Sequence, residues 1–342
     1  MFIRNAWYVA AWDHEVEAGL VARTLLGEPI VLYRTSGGAP VALEDRCCHR
    51  SLPLSMGRQV GDNLQCGYHG LTFAPDGRCV QVPGQSAVPP GSVVRHYPAV
   101  ERWKWVWVWM GDPALADPAL IPNWWWMDHP DWKVVKGQVL HINCNYQLIT
   151  DNLLDLSHTS FVHADTIGND TVAQTPVRTE RIPGGARMSR LIADCVPPPL
   201  YAKNLWFKGN IDRWQVVEAT VPTYCDVEIG AAEAGAGALH GRRDGAAIFH
   251  ALSVGTPETA GSTYQFYAHA RQFALDSEAI DTVYKRDFLR VFMEDVSILE
   301  AQQRMLERDP AAPWIDINVD APGIAVRKLL AEQVDAERAS AA

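Results

Sequence analysis

Four cysteine and histidine side chains near the start of the chain stand in two short groups. Cys47 and His49 form a C-x-H group, and sixteen residues separate it from Cys66 and His69, which form a C-x2-H group. Two thiolates suit one iron of a [2Fe-2S] cluster and two neutral imidazoles suit the other, which raises the reduction potential of the cluster. The alternative is a Cys2His2 zinc site, although C-x-H is shorter than the C-x2-4-C spacing of zinc fingers. The pattern therefore favours an iron-sulfur cluster.

Residues 151–163 carry two carboxylates and two histidines within thirteen positions. Imidazole plus carboxylate with open coordination positions is the ligand set of mononuclear iron(II) oxygenases. His158 and His163 are five residues apart. An ideal helix rotates such a pair by about 140°, so both bind one metal only if the helix widens or ends between them. The alternative is a pair of surface histidines on a polar helix. The upstream cluster favours a metal, because a centre that delivers single electrons needs an acceptor.

The elements that position these residues differ between the two halves of the chain. The first half reads as short strands and turns: Ile30–Tyr33 and Pro40–Leu43 flank a Gly-Gly pair, which is a hairpin pattern. Between residues 103 and 109 every second residue is tryptophan, which predicts a strand with one aromatic face. Proline and aspartate accumulate from 111 to 122, and we interpret this stretch as a domain junction.

The second half mixes helices with strands. A helix is predicted from about residue 146 to 163, and strands from 186 to 270. From 277 to 308 the apolar residues recur with a helical period, and a further helix is predicted near 323 to 338. Helices that flank a run of strands indicate an α+β domain and not a doubly wound sheet. The predicted domains are therefore 1–125 and 126–342.

Composition and charge exclude several classes of function. The chain has 342 residues, of which 48% are hydrophobic, and 30 basic against 40 acidic residues give a formal charge of −10. Such a surface repels phosphate backbones and anionic lipids, so no nucleic-acid or membrane partner is expected. No apolar run approaches the roughly 20 residues of a membrane helix. We expect a cytoplasmic protein in which the seven cysteines form no disulfide framework.

The residues around the first group resemble the Rieske domain of the Rieske non-heme iron oxygenases. The matching segments are Asp45–Arg50, Pro53–Gly57 and Cys66–Gly70. The resemblance implies that Cys47 and Cys66 bind one iron of a Rieske [2Fe-2S] cluster and that His49 and His69 bind the other. Cys48 lies where this family often has proline, and it is expected to bind no metal.

The second group resembles the mononuclear iron signature of the same family, D-N-L-x-D-x-x-H-x4-H. This implies that His158 and His163 bind a mononuclear Fe(II). It also implies that Asp155 bridges toward a Rieske histidine and that Asn152 lies near the iron. Asp155 is three residues from His158, close enough on a helix for a hydrogen bond between them.

The third ligand in this family is a carboxylate far downstream, and Asp295 fits that place. It falls on the apolar stripe that Phe288, Phe292 and Leu299 form along the predicted helix. A carboxylate on an apolar face is costly to bury unless it is paired or binds metal. The alternative is that the stripe is displaced by one residue and Asp295 is solvated. The neighbouring Glu294 and Glu300 are expected to be dispensable.

The resemblance covers nearly the whole chain and is strongest to the vanillate O-demethylase, toluenesulfonate methyl-monooxygenase and dicamba monooxygenase type. It implies an N-terminal all-β Rieske domain followed by a helix-grip (START-like) catalytic domain. The implied reaction is O2-dependent O-demethylation of a vanillate-like aromatic acid, with methyl-group hydroxylation of an aryl sulfonate or carboxylate as the alternative. An aromatic cis-dihydroxylase and a Rieske ferredoxin are further rivals. A ferredoxin would need only the first hundred or so residues.

The resemblance also implies partners. Electrons would come from an NADH-dependent reductase with a flavin and an iron-sulfur cluster. The chain has neither a G-x-G-x-x-G motif after a strand nor a further set of four cysteines, so it does not take hydride from NADH itself. The family further implies a head-to-tail homotrimer, in which the cluster of one subunit faces the iron of the next.

No motif in the sequence marks the residues that line the substrate pocket. His250 and Arg271 are candidate donors to an anionic substrate, and Trp214 and Tyr264 are candidate walls. The alternatives are salt-bridged surface residues for the first two and ordinary core aromatics for the others. The remaining wall candidates are Trp206, Phe207, Tyr224, Phe249 and Phe266.

Overall fold

The computed structural model describes residues 1–17 and 19–341, which fold into two compact units. The first comprises residues 1–123, 256–259 and 341, and the second comprises 124–255 and 260–340. Within the described ranges, no helix combines the length and hydropathy that crossing a bilayer requires.

The first unit is built from short antiparallel strands in three sheets, with strand orders β1-β11-β10, β2-β3-β4-β9 and β5-β6-β7-β8. Short 3-10 turns lie at Asp13–Glu15, Leu54–Met56, Pro113–Leu115 and Pro118–Leu120. The strands are β1 (Trp7–Trp12), β2 (Val21–Leu25), β3 (Glu28–Arg34), β4 (Pro40–Glu44), β5 (Arg58–Val60), β6 (Asn63–Gln65), β7 (Thr72–Phe73), β8 (Cys79–Gln81), β9 (His96–Tyr97), β10 (Ala99–Arg102) and β11 (Trp105–Trp109).

The tryptophan-rich strand is central in its sheet, and both its faces are buried. Trp109 pairs with Trp7 on β1, and their rings meet edge to face at 5.5 Å. The predicted strand at 103–109 begins too early, because Trp103 and Lys104 have φ of 57° and 65°. Positive φ at two successive residues makes the tight turn of a hairpin, here between β10 and β11. The tryptophans at 105, 107 and 109 still share one face of β11, as predicted, and the valines lie on the other.

The second unit contains a large antiparallel sheet of order β12-β19-β18-β17-β16-β15-β14, with β13 also paired to β19. Further 3-10 turns lie at Trp125–Met127, Leu156–His158, Ala238–His240 and Asn318–Asp320. The elements are β12 (Lys133–Lys136), β13 (Leu140–Ile142), α1 (Tyr146–Leu154), α2 (Thr159–Val162), α3 (Asp170–Gln174), β14 (Arg178–Ile182), β15 (Gly185–Cys195), α4 (Pro199–Asn204), β16 (Ile211–Thr220), β17 (Tyr224–Glu233), β18 (Ala247–Pro257), β19 (Thr263–Arg271), α5 (Glu278–Arg308) and α6 (Ala321–Ala341).

Helix α5 packs its apolar stripe on this sheet. Phe288 meets Phe249 of β18 with ring centroids 5.7 Å apart, and Phe292 meets Tyr267 of β19 at 4.1 Å. The predicted stripe is confirmed, and Asp295 lies within it with 8% of its surface exposed. The alternative of a solvated Asp295 is therefore wrong.

The predicted helix over 146–163 is interrupted at Asp155. Helix α1 ends at Leu154, a 3-10 turn covers Leu156–His158, and α2 ends at Val162. Asp155 has φ −115° and ψ 85°, outside the helical region, and its Oδ1 accepts a hydrogen bond from the backbone N–H of Ser157 at 2.9 Å. One continuous helix was therefore a wrong prediction, and the chain ends its helix between the two histidines.

A close approach between β16 and β17 gives a test of the sheet. A Cβ added at Gly230 would lie 1.8 Å from the ring of Trp214, which is fixed by a hydrogen bond from Nε1 to Glu228 at 2.7 Å. Overpacking of this kind costs about 1–3 kcal/mol, so Gly230→Ala should lower the melting temperature in calorimetry. In Gly209→Ala the new methyl meets no atom within 4 Å, and that variant should melt with the wild type. Equal melting of both variants would contradict this packing.

Candidate metal centres and substrate cavity

The two cysteine-histidine loops share one backbone conformation. The N–H of each cysteine donates to the carbonyl five residues later, at 2.9 Å for Cys47 and 2.8 Å for Cys66. Each cysteine carbonyl accepts from the N–H four residues later, at 2.9 and 3.1 Å. Ser51 and Gly70 occupy that fourth position with φ of 59° and 74°. The loops follow β4 and β6, so two different sheets present equivalent pairs of ligand types.

The thiols of these loops are buried and the imidazoles are at the surface. Cys47 and Cys66 are 2% and 3% exposed, whereas His49 and His69 are exposed with ring centroids 4.6 Å apart. Burial, with a smaller contribution from the neighbouring Cys66, raises the pKa of the Cys47 thiol to about 11. A thiolate here therefore needs an adjacent cation. These donors fit a two-iron cluster whose thiolate-bound iron is buried and whose imidazole-bound iron is at the surface.

His158, His163 and Asp295 come together in the second unit. Their ligand atoms all lie within 4.8 Å of one another, and no other such group occurs among residues 1–17 and 19–341. Oδ1 of Asp295 is 3.0 Å from Nε2 of His163 and 3.4 Å from Nε2 of His158. Three converging N and O donors on this scale fit one octahedral or trigonal iron with positions left open. Cys47, His49, Cys66 and His69 form no comparable one-ion group, which disfavours the zinc alternative.

The charges in this triad favour a bound cation. Burial acts to raise the pKa of Asp295, but hydrogen bonds and positive charge from His158 and His163 hold it at about 2. Burial acts to lower the pKa of His163, and hydrogen bonds from Asp295 and Glu294 raise it overall. The carboxylate is thus ionised at neutral pH, and a proton held by His163 is released when a metal binds.

Glu294 was expected to be dispensable, but its carboxylate contacts the imidazole of His163. Its Oε2 is 2.8 Å from Nδ1 of His163, and its Oε1 accepts from Nε of Arg290 at 3.0 Å. A carboxylate on the outer nitrogen of a ligating imidazole fixes the ring and its tautomer. Glu300 instead bonds the backbone N–H of Asn143 at 3.0 Å. The expectation that Glu294 is dispensable was made without this contact to His163, and the iron measurement described below tests it.

Asn152 and Asp155 both contact the triad, though one of them differently from the expectation. Nδ2 of Asn152 donates to Oδ1 of Asp295 at 3.1 Å, which places it beside the triad. His158 Nδ1 is 2.5 Å from the main-chain carbonyl oxygen of Asp155. The Asp155 carboxylate itself bonds the N–H and hydroxyl of Ser157. The expected side-chain hydrogen bond from Asp155 to His158 is therefore replaced by a main-chain one.

A cavity of about 80 Å³ opens on the triad. This is small beside the ~300–1,000 Å³ of sites for drug-sized ligands, which favours a small substrate. Its polar lining beyond the triad and Asn152 includes Arg213 and Gln215 of β16 and His269 of β19. The apolar lining residues are Leu153, Leu156, Ile167, Val227, Ile229, Phe249, Ala251, Phe288, Val291 and Phe292.

Three of the four pocket candidates face away from this cavity. Strand residues alternate between faces, and the lining residues of β16, β18 and β19 are odd-numbered. His250 pairs with Asp226 at 2.8 Å and stacks on Trp126 at 4.2 Å on the other face. Trp214 and Tyr264 share the even parity of His250. Of the aromatic wall candidates, Phe249 does line the cavity.

Arg271 is the fourth candidate, and it is a buried structural residue. Its Nη2 lies 2.7 Å from Oδ1 of Asp281 and also donates to the carbonyl of Ala274 at 2.9 Å. Its Nε donates to the carbonyl of Phe273 at 3.1 Å. These bonds tie the end of β19 to the start of α5. Arg271 does not line the cavity that contains the triad.

Sequence reasoning missed the polar residues that do line the cavity. Neither ring nitrogen of the buried His269 has a hydrogen-bond partner in the described part of the chain. Burial lowers the pKa of His269 to about 3, so this imidazole is neutral at physiological pH. Arg213 and Gln215 flank Trp214, which was a candidate wall of the pocket, but neither was assigned a role. The sequence does not indicate whether the odd-numbered or the even-numbered residues of β16 and β19 face the cavity, and this information was needed to find them.

Comparison with known proteins agrees with this geometry. Residues 6–98 match the Rieske [2Fe-2S] domain, and residues 142–336 match the vanillate O-demethylase oxygenase C-terminal domain. Together these two models span most of the described chain. The chain belongs to the Rieske non-heme iron monooxygenases, as an oxygenase component with a Rieske [2Fe-2S] cluster and a mononuclear iron site.

Individual relatives extend along nearly the full length. The toluene-4-sulfonate monooxygenase system iron-sulfur subunit of Comamonas testosteroni is 42% identical over 94% of both chains. A vanillate O-demethylase oxygenase subunit of Pseudomonas sp. (strain ATCC 19151) is 38% identical over 93% of this chain and 98% of its own. The crystal structure of dicamba monooxygenase bound to dicamba superposes with a TM-score of 0.91 at 32% identity over 99% of both chains. The expected α+β architecture is confirmed.

The contacts of the triad predict a graded loss of iron. Asp295→Ala removes a proposed ligand and should lose the mononuclear iron while the cluster absorbance survives, because the two sites share no residue. Glu294→Gln should retain iron at an affinity lowered about 10–100-fold, since the imidazole of His163 loses the carboxylate that orients it. Iron per cluster, measured by metal analysis after dialysis against a chelator, checks both.

Glu300→Gln is the matched control on the same helix. It disturbs a hydrogen bond to Asn143 and no contact of the triad, so its iron content should equal that of the wild type. If Asp295→Ala keeps its full complement of iron, Asp295 is not a ligand. If Glu294→Gln and Glu300→Gln behave alike, the hydrogen bond to His163 does not support metal binding.

Proposed function

We propose that this oxygenase oxidises a one-carbon substituent on a small aromatic acid. The first candidate for that substituent is the methoxy group of a vanillate-like acid. The observation that carries the proposal is the cavity itself, which places an apolar, single-ring-sized space directly against His158, His163 and Asp295. In the proposed assignment, Cys47, Cys66, His49 and His69 hold the Rieske cluster, and the triad holds the mononuclear iron.

When bound, the iron and the cluster supply O2 activation and the electrons that it needs. The residues of the chain do the rest. The apolar wall formed by Ile229, Phe249 and Ala251 positions the ring and keeps water away from the reacting carbon. Asn152 and Glu294 hold Asp295 and His163 in place through the hydrogen bonds described above. Buried, fixed groups of this kind reorganise little during a reaction.

The proposed overall reaction balances with one O2 and one NADH per turnover. One oxygen atom enters the C–H bond of the methoxy group, and the other leaves as water with two electrons and two protons. The resulting hemiacetal breaks its O–CH2 bond to release formaldehyde and a phenol. NADH delivers its electrons through a separate reductase, which we propose carries a flavin and an iron-sulfur cluster.

A second candidate is hydroxylation of an aromatic methyl group on an aryl sulfonate or carboxylate. The observation that favours it is the 42% identity to the iron-sulfur subunit of a toluene-4-sulfonate monooxygenase system, above the 38% to a vanillate O-demethylase subunit. The same triad and cavity would serve both reactions. The two differ in whether the oxidised carbon is bound to oxygen or to the ring.

Product analysis distinguishes the two candidates. The oxygenase, reconstituted with iron and with a reductase of this family, is given NADH, O2 and matched pairs of methoxy- and methyl-substituted benzoates and benzenesulfonates. Demethylation should release formaldehyde in proportion to NADH consumed, whereas methyl hydroxylation should give a benzylic alcohol and no formaldehyde. NADH consumption without an oxidised product across the panel would contradict the proposed substrate class. Formation of a cis-diol would contradict both candidates.

We also propose the head-to-tail homotrimer, with Asp155 as the residue between two subunits. Oδ1 of Asp155 is engaged by Ser157, while Oδ2 makes no hydrogen bond within the described residues. A half-buried carboxylate with one uncommitted oxygen suits a partner imidazole such as a neighbour's His69. Its own carbonyl meets His158, so the path between the two centres would run through one residue. Heterologous contacts of this kind close into a ring.

A mixing experiment tests this arrangement. One parent lacks the cluster through His69→Ala, and the other lacks the iron through Asp295→Ala, so each homotrimer should be inactive. Dissociated and reassembled mixtures should regain part of the activity, because a cluster-bearing subunit then supplies an iron-bearing neighbour. A mixture of His69→Ala with a second variant that also lacks the cluster is the control. Mixed assemblies that form and stay inactive would show that electrons do not cross between subunits.

A further inference from the structure

Two arginines in the second unit are buried, and neither forms an ion pair within the described residues, although the charge of Asp155 acts on Arg190. Arg190 and Arg213 are each 1% exposed. Among the described residues, no carboxylate oxygen lies within 4.0 Å of either guanidinium. Nε and Nη1 of Arg213 and Nη2 of Arg190 have no hydrogen-bond acceptor. A buried charge is costly unless it is paired and hydrogen-bonded, so this pair indicates an anion that binds from outside the chain.

Arg190 fixes the orientation of the amide that lies beside Arg213. Its Nη1 donates to Oε1 of Gln215 at 3.2 Å, and its Nε donates to the carbonyl of Thr175 at 3.1 Å. The amide oxygen of Gln215 is therefore occupied, and its NH2 group is left as the free donor. That NH2 group makes no hydrogen bond inside the described chain. Gln215 itself lines the cavity.

The guanidinium of Arg213 is held in one place. Its Cζ lies 4.9 Å from the centre of the Tyr201 ring, and both residues line the cavity. Arg213 and Gln215 are two positions apart on β16, so their side chains share the face that carries the triad's cavity. A guanidinium donor and an amide donor thus lie side by side at one edge of a space that is otherwise largely apolar.

The sheet register relates this edge to the rest of the cavity. Gln215 pairs with Ile229, and Ile229 pairs with Phe249, so the three residues form a row across β16, β17 and β18. Neighbouring strands are about 4.8 Å apart, which puts Gln215 and Phe249 roughly 10 Å apart. An aromatic ring with a substituent at each end has about this length. The row therefore runs from the edge of the cavity that carries Arg213 and Gln215 along its apolar wall to Phe249.

We propose that Arg213, assisted by the amide of Gln215, binds the acidic group of the substrate and so determines which end of the ring meets His158, His163 and Asp295. The ligand chemistry is an aryl carboxylate or sulfonate. Arg190 is a positioning residue, because it acts only by orienting Gln215. This inference rests on the proposed function and adds to it the residues that select an anion.

Binding to the holoenzyme tests the inference without turnover. The probes are 4-methoxybenzoate and 4-toluenesulfonate, each with its uncharged amide, and the measurement is calorimetric titration in the absence of O2. Arg213→Met keeps the apolar stem and removes the donors, so both acids should bind about 10–100-fold more weakly, which is the range for losing a hydrogen bond to a charged group. The amides should bind as they do to the wild type. The acid that loses more affinity identifies the preferred anion.

Arg187→Met is the matched control. Arg187 lies on β15, and its Nε bonds Glu218 of β16 at 2.8 Å on the face opposite the cavity. Its loss should leave all four affinities unchanged. Gln215→Glu is a second test that keeps the side-chain volume and supplies the two arginines with an internal carboxylate. It should weaken binding of the acids and spare the amides, even if Arg213→Met fails to fold.

The outcomes separate this inference from the proposed function. If the acids bind the wild type and bind Arg213→Met and Gln215→Glu with unchanged affinity, Arg213 does not bind the acidic group and the inference is wrong while the proposed function stands. If both variants lose the acids and the amides alike, the arginine has a general structural role and the inference is also wrong. If no acid binds the wild type, the proposed substrate class is wrong, and the inference that depends on it is wrong as well.

Discussion

The interaction on which the catalytic unit depends is the meeting of one buried carboxylate with two imidazoles. Asp295 is on the inner face of α5, where an unpaired negative charge would strongly destabilise the fold. His158 and His163 reach it only because the chain leaves the helical conformation at Asp155. The break ends α1 before both histidines, and α2 then ends at Val162, directly before His163. The ring contacts of Phe288 and Phe292 with the sheet then fix the height of α5 above the cavity.

The sheet beneath this triad has two chemically different faces. One carries the cavity lining, where, within the described residues, Nε and Nη1 of Arg213 and both ring nitrogens of His269 have no hydrogen-bond partner. The other carries polar side chains that are already paired, such as His250 with Asp226. A saturated polar group contributes to stability and offers nothing to a ligand, whereas an unsaturated one is a cost until a ligand arrives. The distribution of unmet hydrogen bonds, more than the distribution of charge, marks which face binds substrate.

The residue types of the candidate metal sites could be predicted because cysteine, histidine and aspartate stand at characteristic short spacings in the chain. Cys47 and His49 lie two residues apart, whereas Asp295 was chosen because the resemblance to the family implies a carboxylate far downstream, and the helical period then indicated which one. The pocket could not be predicted in the same way. A shift of one residue moves every side chain of a strand to the other face, and nothing in the residue types of β16 or β18 states which parity is inward. His250 and Trp214 were chosen by chemistry and lie on the wrong side for that reason. Glu294 was missed because its contact depends on how far α5 is rotated about its own axis.

The repeated loop that carries Cys47 and Cys66 gives the cluster site an inside and an outside. Both sulfurs are sealed in an apolar core with Leu64 and Phe73, while both imidazoles lie open. An electron that enters or leaves a cluster held here would cross only one imidazole ring on the histidine side. On the sulfur side it would have to traverse packed hydrocarbon. We therefore expect a partner that gives an electron to a cluster held here, or takes one from it, to approach from the side of His49 and His69.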